Sequence, residues 1–285
     1  GVCICSENTG TAGVIHHGVN GFLYPNDDPK KLANCIRTVV ESSDLTEVRQ
    51  NGRRLFEEVF TMDIFKRLVA RWIEKYFSHP SYYKIDGKPV FMVYDIPNLI
   101  NGLGGIDETI DALKWFRKEV KRAGFPDLEL QFALWAINLN YSGLDASKSD
   151  NPQDDFIRTL GFDSSTHYQF VHFTDVNRDY AEIMKDVEAE WNRIDGAYSF
   201  KYYPHVSIGW DNSPRTAHSA VMKNNTPEAF AEALRKAKAH ADKHPGQAPL
   251  ITINSWNEWT ETSYLQPCNI YGYGYLEAVK KVFID

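Results

Sequence analysis

Beyond residue 80 the chain alternates, five times over, a short apolar run with a longer amphipathic segment, and this rhythm restricts its fold more than any other feature. The runs are PVFMVYD (89–95), LELQFALW (128–135), SSTHYQFVH (164–172), YPHVSIGW (203–210) and PLITINSW (249–256). Short apolar runs bounded by turn residues fit strands buried on both faces of a parallel sheet. Between and after them, helices are predicted at 107–123, 152–160, 177–194, 227–243 and 272–283. The fourth is the best signalled: Thr226 offers an N-cap, Pro227 fits the first turn, alanines fill the middle, and HPG stops it. Strands alternating with helices predict an α/β fold, either a (β/α)8-barrel-like region or a doubly wound sheet. A closed barrel needs eight strands, so five βα units predict an incomplete one. GLGG at 102–105 lacks the spacing of a dinucleotide or phosphate loop and is read as a loop; no cofactor is expected.

Residues 1–70 have a different character, and the change falls between Thr61 and Pro80. GVCICS opens as a strand, and NTGTAGVIHHGVNGFLYPNDDP is dense in turn residues. Asp28 and Pro29 then start a helix whose Leu32, Cys35, Ile36, Val39 and Val40 share one face. Two more helices are predicted at 45–59 and 62–77. The expected domains, 1–70 and 72–285 by the resemblances given below, meet between Thr61 and Pro80. A chain that enters a strand directly from Gly1 suggests that further sequence precedes it.

Composition narrows the partners. With 31 basic against 38 acidic residues and a formal charge of −7, the sequence carries no electrostatic footprint for nucleic acid or an anionic membrane. No apolar stretch reaches the roughly 18–20 residues of a membrane span. Cys3, Cys5, Cys35 and Cys268 have neither metal-ligand spacing nor the density of a disulfide scaffold, so free thiols are expected. His167 and His172 have no third ligand at metal spacing, and no metal site is expected.

In a parallel barrel, chemistry gathers where strands end and βα loops begin. Those positions hold Tyr94 and Asp95, Trp135, His167 with Gln169 and His172, Trp210 with Asp211 and Asn212, and Trp256 to Glu261. Flat aromatic faces stack on the C–H surfaces of sugar rings, while amides and carboxylates match hydroxyl groups. A glycan cleft accounts for all of them together, with an oligosaccharide or polysaccharide as partner. Singly, each has an ordinary reading: strand-end tryptophans cap cores, Asp211-Asn212 before Ser213-Pro214 is turn chemistry, and histidines occur in cores.

NSWNEWTET (254–262) is the sharpest stretch, placing Glu258 and Glu261 three residues apart among Trp256, Asn257 and Trp259. Glycoside cleavage needs one carboxyl group kept protonated and another kept ionised. Adjacent tryptophans can desolvate one of the two and separate their pKa values. The competing reading is a pair of solvated turn carboxylates.

INSWNEWTETSYLQP, with HPSYYKIDGKPVFMVYD, VSIGWDNSPR and YGYGYLEAVKK, resembles the WbsX-type family of carbohydrate-active proteins, related to family 99 glycoside hydrolases, over about residues 72–285. The resemblance implies a (β/α)8 barrel acting on glycans such as α-mannan with retention of configuration. It implies that Glu258 is a general base on the substrate 2-hydroxyl, forming an anhydrosugar, and Glu261 the acid/base at the glycosidic oxygen. WbsX-type proteins are commonly labelled glycosyltransferases, for which the carboxylate pair itself gives no support.

SENTGTAGVIHHGVNGFLYPNDDPKKLANCI and NGRRLFEEVFTMDIF resemble instead the end of the second Rossmann-like half of a GT-B glycosyltransferase of family 4, over about residues 1–70. The nucleotide-sugar motif of that family would lie before Gly1. Three functions follow as expectations: a glycoside hydrolase, a glycosyltransferase in surface polysaccharide synthesis, or a non-catalytic glycan-binding module or inactive fragment. A genuine transferase fusion implies the cytoplasm and a glycan hydrolase implies export.

Overall fold

In the computed structural model of the protein, residues 1–7, 10–26, 28–59, 62–134, 151–215 and 220–284 are described, excepting the side chains of 10, 11 and 56–59. The chain forms two compact units, Gly1–Val69 and Ala70–Asp285.

In the first unit, β1 (Ile4–Ser6) pairs in parallel with β2 (Phe22–Tyr24), Ile4 opposite Phe22. Asp28 caps α1 (Pro29–Glu41) by accepting from the Lys31 amide, and α2 (Thr46–Val59) follows. Phe22, Cys35 and Leu45 form a small core flanked by Val39 and Val48. The apolar face predicted for α1 is only partly used, since Ile36 and Val40 remain exposed. Two three-residue strands offer too little surface to cover a full helical stripe. Next comes α3 (Met62–Trp72), which runs on into a π-helical turn at Ile73–Phe77.

In the second unit, β3 (Lys84–Ile85) and β4 (Lys88–Val93) form a hairpin whose turn residues, Asp86 and Gly87, both have positive φ (50° and 76°). Asp-Gly suits this turn because both central residues must tolerate that region. Then come β5 (Glu129–Ala133), β6 (Ser164–Thr166), β7 (Lys201–Tyr203), β8 (His205–Ser207) and β9 (Thr252–Asn254). β4, β5, β6 and β7 are successive parallel neighbours, and β8 pairs in parallel with β9. All five apolar runs are thus parallel strands. The fourth is broken at Pro204, which lacks an amide hydrogen, so β7 pairs with β6 while β8 pairs with β9. The Thr166 and Thr252 hydroxyls, on β6 and β9, lie 2.6 Å apart although the β7–β8 run separates their strands. That contact requires a curled sheet, a half-barrel.

The helices are α4 (Ile96–Leu103), α5 (Ile106–Arg122), α6 (Pro152–Leu160), α7 (Tyr180–Ala197), α8 (Pro227–Asp242) and α9 (Gly274–Phe283). α4 was not expected, and it corrects the reading of GLGG as a loop. Gly102 and Leu103 finish α4, and Gly104 caps it in the left-handed region (φ 102°). Asp95 starts it by accepting from the Asn98 amide at 2.8 Å. Eight residues with a proline at one end and glycines at the other leave little periodicity to read.

Alternation along the strands gives the sheet two unlike faces. Tyr202, Val206 and Ile253 face α7, α8 and α9, joining Trp191, Ile194, Phe230, Leu234 and Ala278 in the main core. Full burial of such side chains contributes roughly 1.5–3 kcal/mol each. The opposite face carries Gln131, Ser164, Thr166, His205, Ser207, Thr252 and Asn254, nearly all buried and polar.

Candidate functional site

Part of the polar face is bonded to itself, while Gln131 Nε2, Ser164 Oγ and Asn254 Nδ2 have no hydrogen-bond partner among the described residues. His205 meets the Thr252 hydroxyl through Nδ1 at 2.9 Å and the Ser207 hydroxyl through Nε2 at 3.0 Å. Burial is the main influence holding the His205 imidazole down at about 3, so it is neutral at ordinary pH. Above it Gln169 donates to the Gly209 carbonyl at 3.2 Å and to Asn254 Oδ1 at 3.3 Å, joining the ends of β6, β8 and β9.

From β9 the chain passes through a cis peptide, Asn254–Ser255, into a turn closed by Glu258 N–H to Ser263 O at 3.1 Å and the reciprocal bond at 3.0 Å. Two serines brace it: Ser255 Oγ donates to Ser263 O, and Ser263 Oγ donates to Asn254 O, both at 2.8 Å. The Asp211 amide donates to Glu261 O at 2.8 Å, tying the β8 loop to the turn. A Cβ on Gly209 would lie 2.3 Å from Thr262 O, so only glycine fits that approach.

This frame presents Glu258 and Glu261 to one cation. Arg215 Nη2 lies 2.8 Å from Glu258 Oε1, and Nη1 lies 2.8 Å from Glu261 Oε1. The Thr260 hydroxyl accepts from Arg215 and donates to Glu258. The Glu261 side chain is only 13% exposed, against 37% for Glu258. Burial pushes the Glu261 carboxyl above its ordinary value, Arg215 pulls it down, Glu258 pushes it up, and the net result is upward. Arg215 lies within the quoted VSIGWDNSPR but received no role from the sequence. A turn arginine has no periodic signature, and its partners lie more than forty residues away.

The structure draws some of the strand-end residues together and sends others elsewhere. Tyr94 packs edge-on to Tyr168 at 4.6 Å between centroids, and Tyr168 stacks with His172 at 6.0 Å. Burial, then Tyr168, then Glu261 push the Tyr94 phenol upward, which brings the end of β4 into electrostatic reach of the turn after β9. Trp259 stacks on Tyr264 at 3.8 Å and donates to Gln266 at 2.6 Å. Trp256 and Trp259 are 52% and 46% exposed, open faces beside the carboxylates. Asn257 is exposed between them.

Gln169 is fully buried and fastens loops together. His167 is buried on the helix side, with Nδ1 2.7 Å from the Tyr202 hydroxyl, and burial holds it well below the usual histidine range. Trp210 packs in part against the main core. Asp95 is occupied as the cap of α4, and Asp211 accepts from the Ser213 amide. Asn212 is half-buried beside it, and Trp135 lies outside the described residues. Tyr168 and Asn254, absent from the sequence-derived site, stand respectively among the strand-end aromatics and beneath the turn.

No helix among the described residues is long and apolar enough to cross a membrane. Residues 47–279 match the family described as glycosyltransferase WbsX, and the chain belongs to that family. The match begins within α2, earlier than the motifs from residue 72 onward suggested. WxcX, described as an uncharacterized protein, from two strains of Xanthomonas campestris pv. campestris is 22% identical over 245 residues. The aligned region is 80% of this chain and 31% of WxcX, so the chain spans about a third of those relatives. Among solved structures, a glycoside hydrolase-like protein superposes with a TM-score of 0.57 at 19% identity, covering 78% of this chain and 61% of its own. It supports the partial-barrel fold. A GH99 endo-alpha-mannosidase from Bacteroides thetaiotaomicron gives a TM-score of 0.49 at 16% identity, covering 91% and 80%.

Proposed function

We propose that this WbsX-family chain acts on glycans by acid–base cleavage of a glycosidic bond, with Glu258 and Glu261 as the reacting pair and an α-mannan-type or related polysaccharide as substrate. The observation that carries the reading is a single guanidinium, Arg215, spanning two carboxylates of unequal burial at the end of the last strand. The more buried one, Glu261, is biased toward its protonated form. Unequal environments for two neighbouring carboxyl groups are what separates an acid from a base.

In the proposed sequence, Glu258 takes the proton of the sugar 2-hydroxyl, the freed oxygen attacks C1, and the C1–O bond to the leaving group breaks. Glu261 gives its proton to the departing oxygen. Glu261, now ionised, then takes a proton from water, which attacks C1 and opens the anhydro ring, and Glu258 returns its proton to O2. Arg215 steadies both carboxylates before substrate arrives. When a sugar displaces Arg215 from Glu261, burial and Glu258 remain, and the carboxyl holds its proton more firmly. Trp256, Trp259, Tyr94 and Tyr168 supply the stacking faces.

Glu258→Gln and Glu261→Gln, assayed for release from α-mannan-type glycans, should each lower turnover by about 10²–10⁴-fold. Unchanged turnover in both variants would sink the assignment. Glycan-array binding that survives both changes, with no turnover in any form, would instead identify a binding module. The family description favours a second reading, a glycosyltransferase, to which residues 1–70 would contribute as a GT-B-like fragment. Heat of binding from a nucleotide sugar, with no hydrolytic release, would select it.

A further inference from the structure

On the helix side of the sheet, remote in character from the sugar cleft, α7 and α8 bring three metal-ligating side chains to one point. Asp195 stands near the end of α7, His240 lies in the last turn of α8, and His244 follows one turn later. The Asp195 Oδ2 atom is 3.4 Å from His240 Nε2 and 3.2 Å from His244 Nε2. All three donor atoms lie within 4.8 Å of one another.

Ordinary hydrogen bonding does not account for this convergence. His244 Nδ1 lies 3.0 Å from the His240 carbonyl oxygen, which can only accept, so Nδ1 carries the hydrogen. The Nε2 atom of the neutral ring therefore points a lone pair at a carboxylate oxygen. His240 is 4% exposed, and its Nε2 has no hydrogen-bond partner among the described residues. The Trp191 ring, 5.3 Å away, and the Tyr202 ring, 6.3 Å away, pack on the imidazole and fix its direction. His244 can donate to Asp195 only if its ring takes up a second proton, and His240 approaches the same oxygen at 3.4 Å without making a hydrogen bond. A metal ion serves both.

We infer that Asp195, His240 and His244 form a binding site for a divalent transition metal of the zinc type, pinning the end of α7 to the end of α8. Imidazole nitrogen and carboxylate oxygen are the donor types zinc accepts, at bond lengths of about 2.0–2.2 Å. A tetrahedron with such bonds has edges of about 3.3–3.6 Å. The 3.4 Å separation falls within that range and the 3.2 Å one just short of it, so the two contacts of Asp195 need little adjustment, while all three donor atoms lie within 4.8 Å of one another. The bond from His244 Nδ1 to a backbone carbonyl is the outer support that metal-bound histidines use to hold tautomer and ring orientation. Asp195 and His244 are each 26% exposed at the side chain, which leaves the fourth position to solvent water.

The test uses the full chain stripped with a chelator and titrated calorimetrically with Zn²⁺ alone. One ion per chain is expected, with affinity falling by at least about 100-fold in His244→Ala and in Asp195→Asn. Circular dichroism checks that both variants keep their fold, which these partly exposed positions should permit. Co²⁺ in the unmodified chain should give the intense visible absorption of a four-coordinate site, lost in both variants. Absence of binding to the unmodified chain, or equal stoichiometry and affinity in all three proteins, would overturn the site and leave a protonated His244–Asp195 ion pair. Neither result bears on Glu258 and Glu261, whose assay is separate.

Discussion

The two faces of the curled sheet are built from alternate residues of the same strands, yet they differ in kind. Val206 faces the helices within an apolar core, while its neighbours His205 and Ser207 face the other way into a hydrogen-bonded polar network. Apolar packing tolerates approximate partners, because its stabilisation follows area. The polar face has less tolerance, since a buried donor or acceptor left without a partner costs free energy. The first face makes the fold stable, and the second holds strand ends where Glu258, Glu261 and Arg215 meet.

Phe132→Ala is the hardest blow to the apolar face. Phe132 is fully buried between Phe162 and Phe200, each 5.3 Å away between ring centroids. Chemical denaturation should show a loss of about 3–5 kcal/mol. A loss under about 1 kcal/mol would mean that this face is not the main source of stability.

On the polar face, pH is the sharper probe. The folded His205 is depressed to about 3 against an ordinary value near 6.5, so its contribution to stability is complete above about 6.5. As pH falls through that window the unfolded chain takes up a proton that the folded chain refuses. Stability should then fall by up to about 1.4 kcal/mol per pH unit from this group. The gap between denaturation midpoints at pH 7 and pH 5 should narrow in His205→Asn, the share of the buried His167 remaining, and an unchanged gap would detach the network from the pH response.

The smallest effect belongs to the carboxylate pair in the turn after β9. Arg215 lowers the Glu261 carboxyl, so Arg215→Ala should raise it further. Because the acid role requires the protonated form, the alkaline limb of the pH–rate profile should move to higher pH. A limb that stays in place, or moves to lower pH, would separate Arg215 from the acid.

Much of this organisation is legible in the residues. The five apolar runs became parallel strands, and Asp28 and Thr226 cap their helices by accepting from Lys31 and Ala229. Those signals are local, because a cap and its amide lie three residues apart. The candidate site was legible as a stretch, NSWNEWTET, but not as a constellation. His167 and Thr166 are adjacent and both buried, so the sequence does not say which of them faces the helices. Only the pairing of β6 within the curled sheet sends Thr166 toward Thr252 and His167 toward Tyr202.

The sequence by itself determined the order of the five apolar strands and of every helix but α4, the caps Asp28 and Thr226, and the arrival of two glutamates just after the last strand, since periodicity and capping act over a few residues. Tertiary structure decided which faces meet. It curled β6 toward β9, delivered Arg215 to carboxylates 43 and 46 positions further along, and set Asp195 against His240 and His244. Such contacts depend on how whole elements pack, and no local pattern encodes the crossing of two elements.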